Sequence, residues 1–225
     1  MENASKDVLF TIAMNLDLPN LLRWCASNSR INRDVCQNDN VWRSKLIRDY
    51  PDYRRFDLDK SLRETYVFLY QLSYIKKLLK TKESLYDIFL TKTLDLSSKG
   101  LKKVPAFELP HLRRLSLSNN QLTEVPEFAL PNLEVLYLSD NRLTKVPAFN
   151  LPNLRELSLS GNPLRKVPAF DLPNLQHLYL NSNQLTEVPT FHLPNLRTLY
   201  LMNNRLTEVV KKELKEKYKG KIVTE

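Results

Sequence analysis

From Leu94 to Leu206 the apolar positions recur every 21 residues, six times over, with no insertion or deletion. Within one unit, Leu133-x-x-Leu136-x-Leu138-x-x-Asn141-x-Leu143, the alternation at 136 and 138 predicts a short strand. The asparagine and the leucine that follow it predict a turn back into the same apolar face. The rest of each unit reads Val-Pro-x-Phe-x-Leu-Pro, with prolines five residues apart as at Pro126 and Pro131. A proline inside a helix costs about 3 kcal/mol or more, so this side is expected to be extended or polyproline-like. Phe107, Phe128, Phe149, Phe170 and Phe191 share one position of the period and are expected to point inward beside the leucines. Asn120, Asn141, Asn162, Asn183 and Asn204 share another, where an amide can satisfy backbone groups of its own and the neighbouring coil.

This L-x-x-L-x-L-x-x-N-x-L unit resembles the leucine-rich repeat, in which a single turn is too small to bury its own apolar face and is stable only when stacked. The resemblance implies an α+β repeat fold, a solenoid with a parallel concave sheet and a non-helical convex side. It also implies that side chains between the inward leucines face a partner. Those positions vary from coil to coil, and they nominate Arg114, Tyr137, Glu156, His177, Tyr179, Thr198, Tyr200 and Met202 as target-binding residues. Tyrosine offers a large contact area, little entropy to lose and a polar tip, which suits it to binding surfaces. It also favours strands, so a solvated sheet is the competing reading. The first coil departs from the pattern, with Lys99 for the asparagine and Thr91 for the first leucine. At the other end Val210 to Tyr218 reads as a short helix and Lys221 to Thr224 as a last strand.

Before the repeats the period changes to that of short helices. Ser5 or Asp7 leads into one, Asp17-Leu-Pro-Asn20 into a second, Asn28 to Gln37 forms a third, and Asp39-Asn-Val-Trp42 opens a fourth. The longest apolar stripe runs from Lys60 to Lys80 and is expected to be the junction with the repeats. The stretch Asp7-Val-Leu-x-x-Ile-x-x-x-Leu-Asp-x-x-Asn-Leu21, with Asp39-x-x-Trp42-x-x-x-Leu46 after it, resembles an F-box. Such heads joined to repeats resemble a class found in large amoebal DNA viruses. The resemblance implies that a Skp-type adaptor of a cullin ubiquitin ligase would bind Val8, Leu9, Ile12, Leu16 and Leu21. The same residues can also be read as the core of a plain helical cap, because a solenoid needs its end covered. The expected domains are therefore 1–80, the helical head with its junction; 81–208, the six coils; and 209–225, a helix-and-strand cap.

Composition narrows the rest. No apolar run reaches the length of a membrane span, and the start of the chain lacks the pattern of a secretory signal, so a cytoplasmic site is expected, host cytoplasm if the source is viral, with the nucleus also open. Cys25 and Cys36 are read as free thiols in a reducing compartment. The net charge of +9 divides evenly, with an excess of three basic residues in each of 1–90, 91–208 and 209–225. The tail alternates Lys and Glu like a solvated helix face, which points away from nucleic acid. The sequence holds no zinc spacing, phosphate loop or nucleophile motif, so neither a cofactor nor catalysis is expected. The reading is an adaptor that holds a target protein near a ligase. Its alternative is a plain binding scaffold.

Overall fold

In a computed structural model, which describes residues 5–223, the 21-residue period becomes a parallel sheet with a 21-residue register. Its strands are β1 (Thr93–Asp95), β2 (Arg114–Ser116), β3 (Val135–Tyr137), β4 (Glu156–Ser158), β5 (His177–Tyr179), β6 (Thr198–Tyr200) and β7 (Ile222–Val223). They lie side by side in chain order. The middle residue of each repeat strand is a buried leucine, and its two neighbours lie on the opposite face, exposed or half-buried except for the buried Ser158 of β4. The outer side carries no helix in the six coils, as the proline spacing predicts. The five phenylalanines form a buried spine, with Phe149 on Phe170 and Phe170 on Phe191 stacked at 6.3 and 5.7 Å between ring centroids.

The asparagine ladder is directional. Each amide reaches back toward the preceding coil: Asn162 donates to the Leu138 carbonyl of that coil and to Leu159 of its own, both at 3.0 Å. Its Oδ1 accepts from the Leu143 N–H at 3.0 Å. Because the asparagine of one coil serves the coil before it, the first coil needs none of its own. Asn120 accepts from Lys99 and Leu101, which explains why Lys99 is tolerated there. The residue before each ladder position adopts left-handed backbone: Ser98, Asn119, Asp140, Gly161, Ser182 and Asn203, all with φ between 53 and 65°. Five of the six are Ser, Asn or Asp, short polar residues in a region that favours Gly, Asn and Asp.

A second ladder went unread in the sequence. Asn132, Asn153, Asn174 and Asn195 each donate to a proline carbonyl one coil earlier, at 2.8–2.9 Å. This fixes the Leu-Pro-Asn-Leu corner. The matching residue of the preceding coil is His111, which meets Phe89 edge-on instead. The solenoid ends in α7 (Glu208–Lys217), capped by Thr207 and packed through Leu214, with β7 added to the sheet. The expected last strand is thus two residues long, and Thr224 lies outside the described residues.

By internal contacts the chain forms two compact units, Met1–Ile88 and Phe89–Glu225. The first contains α1 (Lys6–Asn15), α2 (Leu18–Ser27), the single turn α3 (Ser29–Ile31), a π-helical turn (Asn32–Cys36), α4 (Asp39–Asp49), a 3-10 turn (Tyr53–Phe56) and α5 (Leu62–Leu79). The short α6 (Leu85–Phe89) was not foreseen; Ser84 and Asp87 cap it reciprocally. Ser5, Asp17, Asn28 and Asn38 are the caps of α1 to α4, and Ser61 with Glu64 forms a capping box on α5. Side chains of α4 finish the C-terminus of α1. Lys45, fully buried, donates to the carbonyls of Leu16 at 2.7 Å and Ala13 at 3.3 Å, and Arg48 donates to Met14. A cation at these carbonyls also complements the helix dipole.

The cysteines correct the sequence reading. Cys25 and Cys36 are not free thiols but a buried disulfide, with Cα atoms 6.0 Å apart, joining α2 to the π-helical turn. A sequence separation of 11 hid a proximity that only the packing of α2 on that turn creates. With the thiols gone, the argument they gave for a reducing compartment goes too. No helix among the described residues is long and apolar enough to cross a membrane.

Candidate functional site

The sheet register brings the nominated concave residues together. Arg114, Val135, Glu156, His177 and Thr198 form one row across the strands, and Ser116, Tyr137, Ser158, Tyr179 and Tyr200 the next. Inward leucines hold every strand, so these side chains project from a rigid base. Tyr179 and Tyr200 stack with centroids 5.0 Å apart and planes 7° from parallel, and His177 stacks on Tyr179 at 6.5 Å. Tyr137 donates from its hydroxyl to Glu156 Oε1 at 3.0 Å, and the Arg114 guanidinium lies 5.3 Å from the Tyr137 ring centre. Met202 follows β6 and is half-buried.

The electrostatics follow from this packing. Burial pushes the Tyr137 phenol up, with the Glu156 carboxylate adding to the effect. Burial also raises Tyr179, again with Glu156 and then Tyr200 contributing. Both phenols therefore stay neutral donors. Ser158 was not singled out in the sequence, yet it lies between Tyr137 and Tyr179 and is buried, bonded to Ser139 at 2.6 Å. Its small side chain leaves a notch in the aromatic row.

The proposed adaptor residues divide. Leu9 and Leu21 are buried in the helical core, 1% and 0% exposed, and cannot present a surface to a partner. Val8 is 49% exposed, Ile12 is half-buried one turn further along α1, and Leu16, also half-buried, is the extended residue that ends the helix. Trp42, part of the F-box-like pattern, is in the core and donates its indole N–H to the Cys36 carbonyl at 2.9 Å.

Family models agree with the geometry of the coils. Residues 131–172 and 173–216 match "Leucine Rich repeats (2 copies)", and residues 111–131 match "Leucine Rich Repeat". Residues 111–216 are leucine-rich repeats. Solved structures similar to the chain include YopM from Yersinia enterocolitica WA-314, 29% identical with a TM-score of 0.50 over 61% of this chain and 34% of that one. The leucine-rich-repeat protein LIC12759 of Leptospira interrogans is 36% identical, with a TM-score of 0.48 over 51% of this chain and 32% of that one. The internalin-like protein lmo2027 of Listeria monocytogenes is 34% identical, with a TM-score of 0.44 over 45% and 33%. The chain spans about a third of the length of each of these proteins. No curated protein matches it. The leucine-rich repeats account for the sheet, the asparagine ladder and the concave face, and the family models match no residue before 111.

Proposed function

We propose that the chain is a non-enzymatic interaction protein whose concave sheet holds a protein partner. The supporting observation is the aromatic row of Tyr137, Tyr179 and Tyr200, half-exposed on a rigid sheet, with burial keeping the Tyr137 and Tyr179 phenols neutral. Its role would be positioning, raising the effective concentration of one protein near another. The test is Tyr179→Ala with Tyr200→Ala, measured by calorimetry against a partner recovered with the full chain, beside the outward control Glu127→Ala. Losing binding-hot-spot tyrosines costs at least about 2 kcal/mol, roughly thirtyfold in affinity. If the tyrosine pair binds like wild type and Glu127→Ala does not, recognition lies on the convex side.

The finer form of the proposal is an F-box-type adaptor that brings this partner to a cullin ligase in a host cytoplasm. It rests on the sequence resemblance and on the exposed Val8, one turn before the half-buried Ile12 on α1. Val8→Asp changes an exposed position and leaves the core intact, so it should abolish binding of a recombinant Skp-type adaptor without lowering stability. An adaptor that fails to bind the wild type leaves the second reading, a scaffold without adaptor contacts. The burial of Leu9 and Leu21 favours that second reading.

A further inference from the structure

Three repeat glutamates have basic partners one coil away: Glu124 with Lys145 at 3.7 Å, Glu134 with Arg113 at 2.7 Å and Glu187 with Lys166 at 3.0 Å. Glu156 on the concave side differs. It is half-buried and pairs with none of the basic side chains among the described residues, in a chain of net charge +9. Its contact is a neutral one, the Tyr137 hydroxyl.

Aromatic faces stand on both sides of this carboxylate. Tyr179 stacks on Tyr200 of β6, and on the β4 side its register neighbour is the small Ser158, while His177, the register partner of Glu156, stacks on Tyr179 at 6.5 Å within its own strand. Tyr137 stands beyond Ser158 on β3, and Arg114 of β2 covers the ring from the opposite side. The register thus leaves a notch two strand spacings across, roughly 10 Å, between Tyr137 and Tyr179, with the small Ser158 between them and Glu156 and His177 at one end. Tyrosine faces attract cations, and a carboxylate beside them reinforces the attraction. A neutral aliphatic group would desolvate Glu156 without compensation, and an acidic one would meet like charge.

We propose that this notch receives a basic side chain, the ammonium of a lysine or the guanidinium of an arginine, from a protein held on the concave sheet. The inference rests on the concave-face reading and adds the chemistry of the group recognised. It makes Glu156 and Tyr179 the specificity residues, and it predicts a partner with a basic segment.

The probes are N-acetyl-lysine methylamide, N-acetyl-arginine methylamide and the uncharged N-acetyl-norleucine methylamide, titrated into the full chain while the ring resonances of Tyr137 and Tyr179 are followed by NMR. Saturable shifts are expected with at least one of the two cationic probes and not with norleucine. The response should weaken at least about tenfold in Glu156→Gln, in keeping with loss of a charge-assisted contact. It should be unchanged in Glu127→Gln. Tyr179→Leu, which removes the ring and keeps the carboxylate, should weaken the same probes and so supplies a second reading if Glu156→Gln perturbs the sheet. Equal shifts from norleucine, cationic probes that act equally on Glu156→Gln, or rings that none of the probes moves would each overturn the proposal. A partner that needs the tyrosine pair yet ignores Glu156→Gln would overturn the cation site alone. One that ignores both would overturn the concave-face reading itself.

Discussion

Asn162 shows how much one residue can carry in a stacked fold. Its amide satisfies carbonyls in two coils and its oxygen an N–H in one of them, so Asn162→Ala leaves several buried groups without partners. An orphaned buried group costs about 1–3 kcal/mol, and the substitution should lower unfolding free energy by at least ~2 kcal/mol in urea melts. Asn153→Ala breaks a single bond in the exposed second ladder and should cost under about 1 kcal/mol. A similar loss at both positions would mean that the inner ladder does not bear the coils together. Gly161 carries a different constraint: φ is +65°, and a Cβ there would overlap the Asp140 carboxylate and push that side chain aside. Gly161→Ala should therefore destabilise by about 1 kcal/mol from the left-handed backbone alone.

Among the elements, α4 organises the helical unit. It buries Trp42 and Leu46, caps α1 through Lys45 and Arg48, and anchors α5 where the Tyr66 hydroxyl donates to Asp49 at 2.6 Å. The hydrogen bond from Arg48, offset in part by burial and reinforced by Tyr66, holds the Asp49 carboxyl below its ordinary value of 3.8. A depressed carboxylate contributes stability that is fully present above the unfolded value and is lost as pH falls through the folded one. Acid titration followed by far-UV dichroism should accordingly show helix loss beginning below pH 3.8, and Asp49→Asn should flatten that part of the curve. The disulfide ties α2 to the π-helical turn across a separation of 11 residues, a loop for which chain entropy predicts about 3 kcal/mol. Denatured, unreduced protein should give no thiol signal with Ellman's reagent, and reduction should lower the stability of the helical unit by roughly that amount. Two titratable thiols would refute the bond.

At the scale of the whole repeat domain, each coil depends on its neighbours, so the open end matters most. Leu214 of α7 is buried, Lys217 donates to Thr190 at 2.7 Å, and the Tyr218 hydroxyl accepts from the Phe191 N–H. Leu214→Asp would place a charge in that cap. It should cost several kcal/mol, of the order expected for an unpaired buried charge, and shift the chain toward aggregates in gel filtration. An unchanged melting temperature would show that the last coil is sealed by other means.

The architecture of the repeats was legible because the period repeats the same decision six times. Leu136 and Leu138 specify a strand, Pro126 and Pro131 forbid a helix on the outer side, and Asn141 marks the turn, so local chemistry and stacking agree. The concave candidates followed, since side-chain alternation in a strand fixes their direction before any packing is known. The helical caps at Ser5 and Asp17 were equally local. What the sequence left open depends on contacts between residues far apart in the chain. The Cys25–Cys36 bond, the burial of Lys45 against α1 and the inward rotation of Leu9 and Leu21 all arise from how helices pack, and no spacing rule encodes that. Glu156 belongs to the same group. Its place in the concave row was readable, but its lack of a basic neighbour and the Ser158 gap beside it emerged only once adjacent coils were in register, because a residue 21 positions away becomes a neighbour only when the solenoid closes.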